Sequence, residues 1–178
     1  PYYQITFWVL ALSFLVFVVN NIYTANFSTH LSNREKYKLG RVPKSRKAIY
    51  GEADLTDQEI HFFRSEMAEA LDTIETILGY ENYNTHLNMV FKRYDTSKVL
   101  KSFFQAITKA PDRLNHATDF LYHVLPNLKG VLEQYIAINQ AMDKSPRKIQ
   151  KLTSLREEIA DLAQQAQSLF DSFTNEPE

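Results

Sequence analysis

The sequence predicts an all-α protein: an N-terminal transmembrane helix followed by an elongated antiparallel bundle of about four long helices, the third kinked at Pro126. Three observations carry this. Apolar residues recur at three- and four-residue steps through long windows, and no stretch alternates with period two strongly enough to compete as a strand. No Asn-Gly or Asp-Gly pair signals a hairpin, and only 4 Gly and 6 Pro interrupt 178 residues. The first 33 residues contain no Lys, Arg, Asp or Glu.

Taken in order, residues 1–23 are the transmembrane segment. Ile5 to Tyr23 is apolar apart from Thr6, Ser13, Asn20 and Asn21, Tyr2 to Tyr23 spans 22 residues, and about 20 residues at ~1.5 Å each suffice to cross the hydrocarbon. Tyr2, Tyr3, Trp8 and Tyr23 fall towards the ends, where aromatic rings favour the headgroup level. A basic n-region is missing, which argues against a cleaved signal peptide. Residues 24–54 read as a juxtamembrane linker carrying Arg34, Lys36, Lys38, Arg41, Lys44, Arg46 and Lys47 against Glu35 alone. Such a cluster is retained on the cytoplasmic side, so the expectation is one span in this chain, in the cell membrane, with the C-terminal part in the cytoplasm. The same residues can lie against anionic lipid, each contributing about 1 kcal/mol near the surface.

Residues 55–174 are the helical domain, with 175–178 as a tail. From Ala48 onward 13 basic residues face 20 acidic ones, and that net −7 would repel phosphate, so nucleic acid is not an expected partner. Thr56 and Glu59 have capping-box spacing, and Ile60, Phe63, Met67, Leu71, Ile74 and Leu78 supply the apolar stripe of a first helix ended by Gly79. A second helix spans about Thr85 to Lys109, through Leu87, Phe91, Tyr94, Leu100, Phe103, Phe104 and Ile107; "YDTSK" makes a break in its middle plausible. The third opens at Pro111 and Asp112, which suit a first turn. It should continue to about Met142, because Leu114–Leu125 and Leu128–Ile138 keep one apolar side in phase across Pro126. The fourth, from about Pro146 to Phe173, places Leu152, Leu155, Ile159, Leu162, Ala166, Leu169 and Phe173 on a heptad seam that packs on neighbouring helices, within the domain or between copies. Short links favour antiparallel neighbours.

Chemistry is sparse. There is no cysteine, so thiolate nucleophiles, disulfides and thiolate metal sites are excluded. Four isolated glycines make neither a phosphate loop nor a dinucleotide fingerprint, and no cofactor is expected. Asp112, His116, Asp119 and His123 are spaced four, three and four, which on an α-helix stacks two histidines and two carboxylates on one side. Those ligand types could hold a divalent metal. On the wheel, however, they lie opposite the stripe of Leu114, Ala117, Leu121, Val124 and Leu128, so the expectation is a solvated face, with a metal site as the alternative.

"LNHATDFLYHVLPNLKGVLEQYIAI" then resembles the XpaC-like family, named for 5-bromo-4-chloroindolyl phosphate hydrolysis. Phe120, Leu121, Tyr122, Leu125, Pro126, Leu132 and Tyr135 match its pattern of an aromatic/Leu pair before Leu-Pro and apolar steps to a Tyr. The resemblance implies a membrane-attached cytoplasmic helical protein, with helical toxic-anion-resistance proteins of the TelA type as expected partners. The family name suggests phosphatase activity, yet none of the matching residues is a nucleophile, ligand or phosphate clamp. Together these readings favour a membrane-anchored helical interaction protein in envelope or toxic-anion stress. The alternative is a metal-dependent phosphoester hydrolase using Asp112, His116, Asp119 and His123.

Overall fold

In the computed structural model, which describes Val42 and residues 44–140 and 145–175, every regular element is helical. The Tyr2–Tyr23 segment and the basic residues Arg34, Lys36, Lys38 and Arg41 lie outside the described residues. Among the described residues no helix is long and apolar enough to cross a membrane.

One compact unit of the chain spans 41–178. Lys44–Glu52, expected as open linker, is a helix, α1. Composition hid this, because its basic residues Lys44, Arg46 and Lys47 sit beside one docking residue. Tyr50 is 2% exposed and meets Phe63 edge-on at 6.0 Å between centroids. Burying one aromatic side chain is worth about 1.5–3 kcal/mol, enough to hold a short helix on its neighbour.

The second helix, α2 (Asp57–Gly79), starts as its sequence says. The Thr56 hydroxyl accepts from the Glu59 N–H at 3.3 Å, and Glu59 Oε2 accepts from the Thr56 N–H at 2.8 Å. Its end differs from expectation. Gly79 is the last helical residue and does not adopt positive φ; the helix unwinds through three-residue bonds, Tyr80 N–H to Ile77 O and Glu81 N–H to Leu78 O. The buried side is Phe63, Met67, Ala68, Ala70, Ile74 and Ile77, so the core stripe is rotated away from Leu71 and Leu78, which are half-buried.

The break in the second predicted helix is real: α3 (Thr85–Arg93) and α4 (Thr96–Lys109) meet at Asp95, whose φ of 47° and ψ of 33° are left-handed. Aspartate tolerates that region better than bulkier residues do, because its short polar side chain can bond locally. Asn84 caps α3, accepting from the Leu87 N–H at 2.9 Å, and donates from Nδ2 to the buried Tyr135 hydroxyl at 3.1 Å. One side chain therefore starts a helix and satisfies a core phenol.

The third predicted helix is not one α-helix. Pro111–Ala117 is 3-10, with non-helical torsions at Arg113; Phe120–Val124 is a π turn; and α5 runs Leu125–Gln140. The chain stays helical across Pro126, since Leu125 has φ −61° and ψ −53°. The proline is accommodated upstream, where the Leu125 N–H reaches five residues back to the Phe120 carbonyl. A five-residue turn widens the helix where the proline ring would otherwise meet the carbonyl four residues back.

The last helix, α6 (Pro146–Asn175), buries the predicted seam: Leu152, Leu155, Ile159, Leu162, Ala166 and Phe173 are buried and Leu169 is half-buried. It packs chiefly on α5 and on α4, while α2 packs on α5 and α4. At the centre Phe103 stacks on Phe120 at 4.0 Å and lies 5.3 Å from Phe173 and 5.7 Å from Phe170. Arg113 closes this cluster, its guanidinium 4.6 Å over the Phe173 ring and donating to the Phe173 carbonyl at 2.9 Å.

Candidate functional site

Within the π turn Tyr122 faces outward, 47% exposed, while Phe120 and Val124 on either side are buried. From there the Tyr122 hydroxyl donates to Glu66 Oε2 of α2 at 2.5 Å. Partial burial, then that carboxylate and the nearby Glu69, push the phenol up to about 12, so it is a neutral donor at physiological pH.

Tyr122 stands where two open grooves meet along α2. One, of about 280 Å³, is lined by Glu66, Glu69, Ala70 and Thr73 of α2 and by Leu121, Tyr122, Leu125 and Pro126. The other, of about 350 Å³, continues past Phe62 and Glu59 to Leu55, facing Pro111, Asp112, Leu114, Asn115 and Thr118. Phe62 is 54% exposed. Four carboxylates line the pair, and among the described residues no Lys or Arg does. Such a surface attracts cations and repels phosphate. None of the α2 residues here was singled out from sequence for this role, although Glu59, Phe62, Glu66, Glu69 and Thr73 step by three and four beside the core stripe.

Of the predicted quartet, Asp112 alone lines this pair of grooves. Asp112, His116, Asp119 and His123 are all exposed. Asp119 and His123 line a groove of about 520 Å³ with Asp161, Gln164, Gln165 and Ser168 of α6, whereas Asp112 lines the groove beside Phe62. The 3-10 segment turns about 120° per residue, so a four-residue step from Asp112 to His116 diverges where an α-helix would stack it. Among the described residues no three His, Asp or Glu side chains gather where they could hold a metal ion.

A fourth groove, of about 490 Å³, lies between α2 and α4, where Leu71, Leu78 and Phe104 sit with Arg46, Lys101 and Glu75. Of the basic cluster, Lys44 and Lys47 are exposed on α1 and Arg46 is half-buried here. The residues that carried the resemblance divide cleanly. Phe120, Leu125, Leu132 and Tyr135 are buried and Leu121 is half-buried, leaving Tyr122 and Pro126 on the surface, in the groove.

The family model described as 5-bromo-4-chloroindolyl phosphate hydrolysis protein matches residues 2–176. No curated protein and no solved structure matches the chain.

Proposed function

We propose, from the premise that this chain belongs to the 5-bromo-4-chloroindolyl phosphate hydrolysis protein family, that it is a membrane-anchored helical interaction protein. The anchor in this reading is Tyr2–Tyr23, and the seven Lys/Arg from Arg34 to Lys47 keep the domain on the cytoplasmic side, near anionic lipid. The observation that carries the interaction role is Phe62 and Tyr122, both about half exposed, flanking one groove on α2. Large exposed aromatics grouped around a concavity are the usual anchors of protein recognition. The α6 seam does not compete as a docking surface, because its apolar positions are consumed inside the domain. A helical partner of the TelA type, in envelope or toxic-anion stress, is the class to look for.

A photo-crosslinking residue placed at position 62 of the full chain, in native membranes, should trap a discrete helical protein. If position 62 traps nothing above the level seen at the exposed Glu157, the interaction role falls.

The family description supplies a second reading, phosphoester hydrolysis. Its candidate location is the groove lined by Asp119, His123 and Asp161. It is tested by phosphomonoester turnover of the purified chain with divalent metals: activity that disappears in His123→Ala and persists in His116→Ala supports it, and turnover unchanged by His123→Ala removes it.

A further inference from the structure

We propose that the α2 groove receives a basic amphipathic helix of a partner protein, an inference that rests on the interaction role. Length comes first. Glu59, Phe62, Glu66, Glu69 and Thr73 form one stripe on α2, and at ~1.5 Å per residue it extends about 21 Å, the length of roughly four helical turns. Shape agrees: a helix laid in a groove presents apolar anchors at steps of three and four, and Phe62 and Tyr122 are the aromatic surfaces that such anchors would meet.

Charge selects among occupants. Glu59, Glu66, Glu69 and Asp112 border these anchors. Anionic lipid and nucleic acid are repelled by them. A second copy using the same face would set like carboxylates opposite each other. Lys or Arg flanking the apolar side of an incoming helix would instead complement the rim, raising the association rate and rejecting acidic helices.

The test uses the full chain in nanodiscs of zwitterionic lipid and two synthetic 18-residue helical peptides. Both carry Leu at three- and four-residue steps; one has Lys at the remaining positions and the other has equal numbers of Glu and Gln. The Lys peptide should bind at least about tenfold more tightly than the Glu/Gln peptide. Phe62→Ala, and separately Glu69→Lys/Asp112→Lys, should each weaken the Lys peptide about tenfold, while Glu157→Lys/Glu158→Lys on α6 should leave it within about twofold. All the substituted side chains are exposed, so the fold is retained, and helix content by circular dichroism checks this.

Equal binding of the two peptides, or binding indifferent to the groove substitutions, overturns the proposal. So does self-association of the chain that Phe62→Ala abolishes, since the occupant would then be another copy. A partner trapped from position 62 together with equal binding of both peptides removes the basic helix and leaves the interaction role standing.

Discussion

Tyr122 joins the surface and the core. Its hydroxyl reaches Glu66, 56 positions earlier in the chain, and no local pattern could have paired them. A phenol whose folded pKa is raised from 10.0 to about 12 binds its proton more tightly in the folded chain than in the unfolded one. Its stabilising contribution is therefore fully present below pH 10, where both states are protonated. It is lost as pH rises through 10 towards 12, because the unfolded chain ionises first. Thermal unfolding of wild type and Tyr122→Phe from pH 8 to 12 should show a constant difference in Tm up to about pH 10 and a shift against wild type above it. A difference that does not change with pH would mean that Tyr122 ionises alike in both states. Tyr135, by contrast, was legible as a motif residue, but its partner Asn84 was not: the cap of α3 is a local device, and its second bond spans 51 positions.

Among the elements, those governed by nearest neighbours were legible and those governed by competition were not. The Thr56–Glu59 box and the α6 seam rest on residues within one or two turns, and both stand where their spacing places them. In the third predicted helix the same apolar phase can be kept by 3-10, α or π turns, and the choice is made by Pro111, Pro126 and packing on α6. That choice decided the fate of the histidine–aspartate quartet, whose spacing had meaning only on an α-helix. The groove was illegible for another reason: its two walls, Glu66–Thr73 of α2 and Leu121–Pro126, lie about fifty positions apart in the chain. Downstream of the π turn α5 is regular, and Gly130 lies in its exposed interior, where a methyl group in place of its hydrogen would meet nothing within 4 Å. Gly130→Ala should stabilise the fold by about 0.5–1 kcal/mol, by helix propensity and a less disordered unfolded chain. Urea unfolding checks this through a higher midpoint at unchanged slope; a lower midpoint would show that a neighbour approaches the glycine closely in solution.

At the scale of the molecule, an all-helical fold with a buried α6 seam was legible because amphipathic periodicity reports which residues want to be inside, while saying nothing of which helices meet there. The meeting point is Phe103, which touches Phe120 of the π turn and Phe170 and Phe173 of α6 from its place on α4. Phe104, next in sequence and equally apolar, is half-buried at the edge of the groove between α2 and α4. Periodicity alone puts both on the same apolar side. Their different burial makes them a matched test of whether the domain unfolds as one unit. Truncating a fully enclosed phenylalanine costs about 3–5 kcal/mol in lost transfer energy and residual cavity. Total stability is on the order of 5–15 kcal/mol, so Phe103→Ala should lower Tm by about 10 °C, and Phe104→Ala by less than half of that. Because the ring joins elements from both halves of the described chain, the transition should remain single for both variants. Calorimetry would contradict this with two resolved transitions in Phe103→Ala, which would make α6 with α5 a unit able to fold apart from α2–α4.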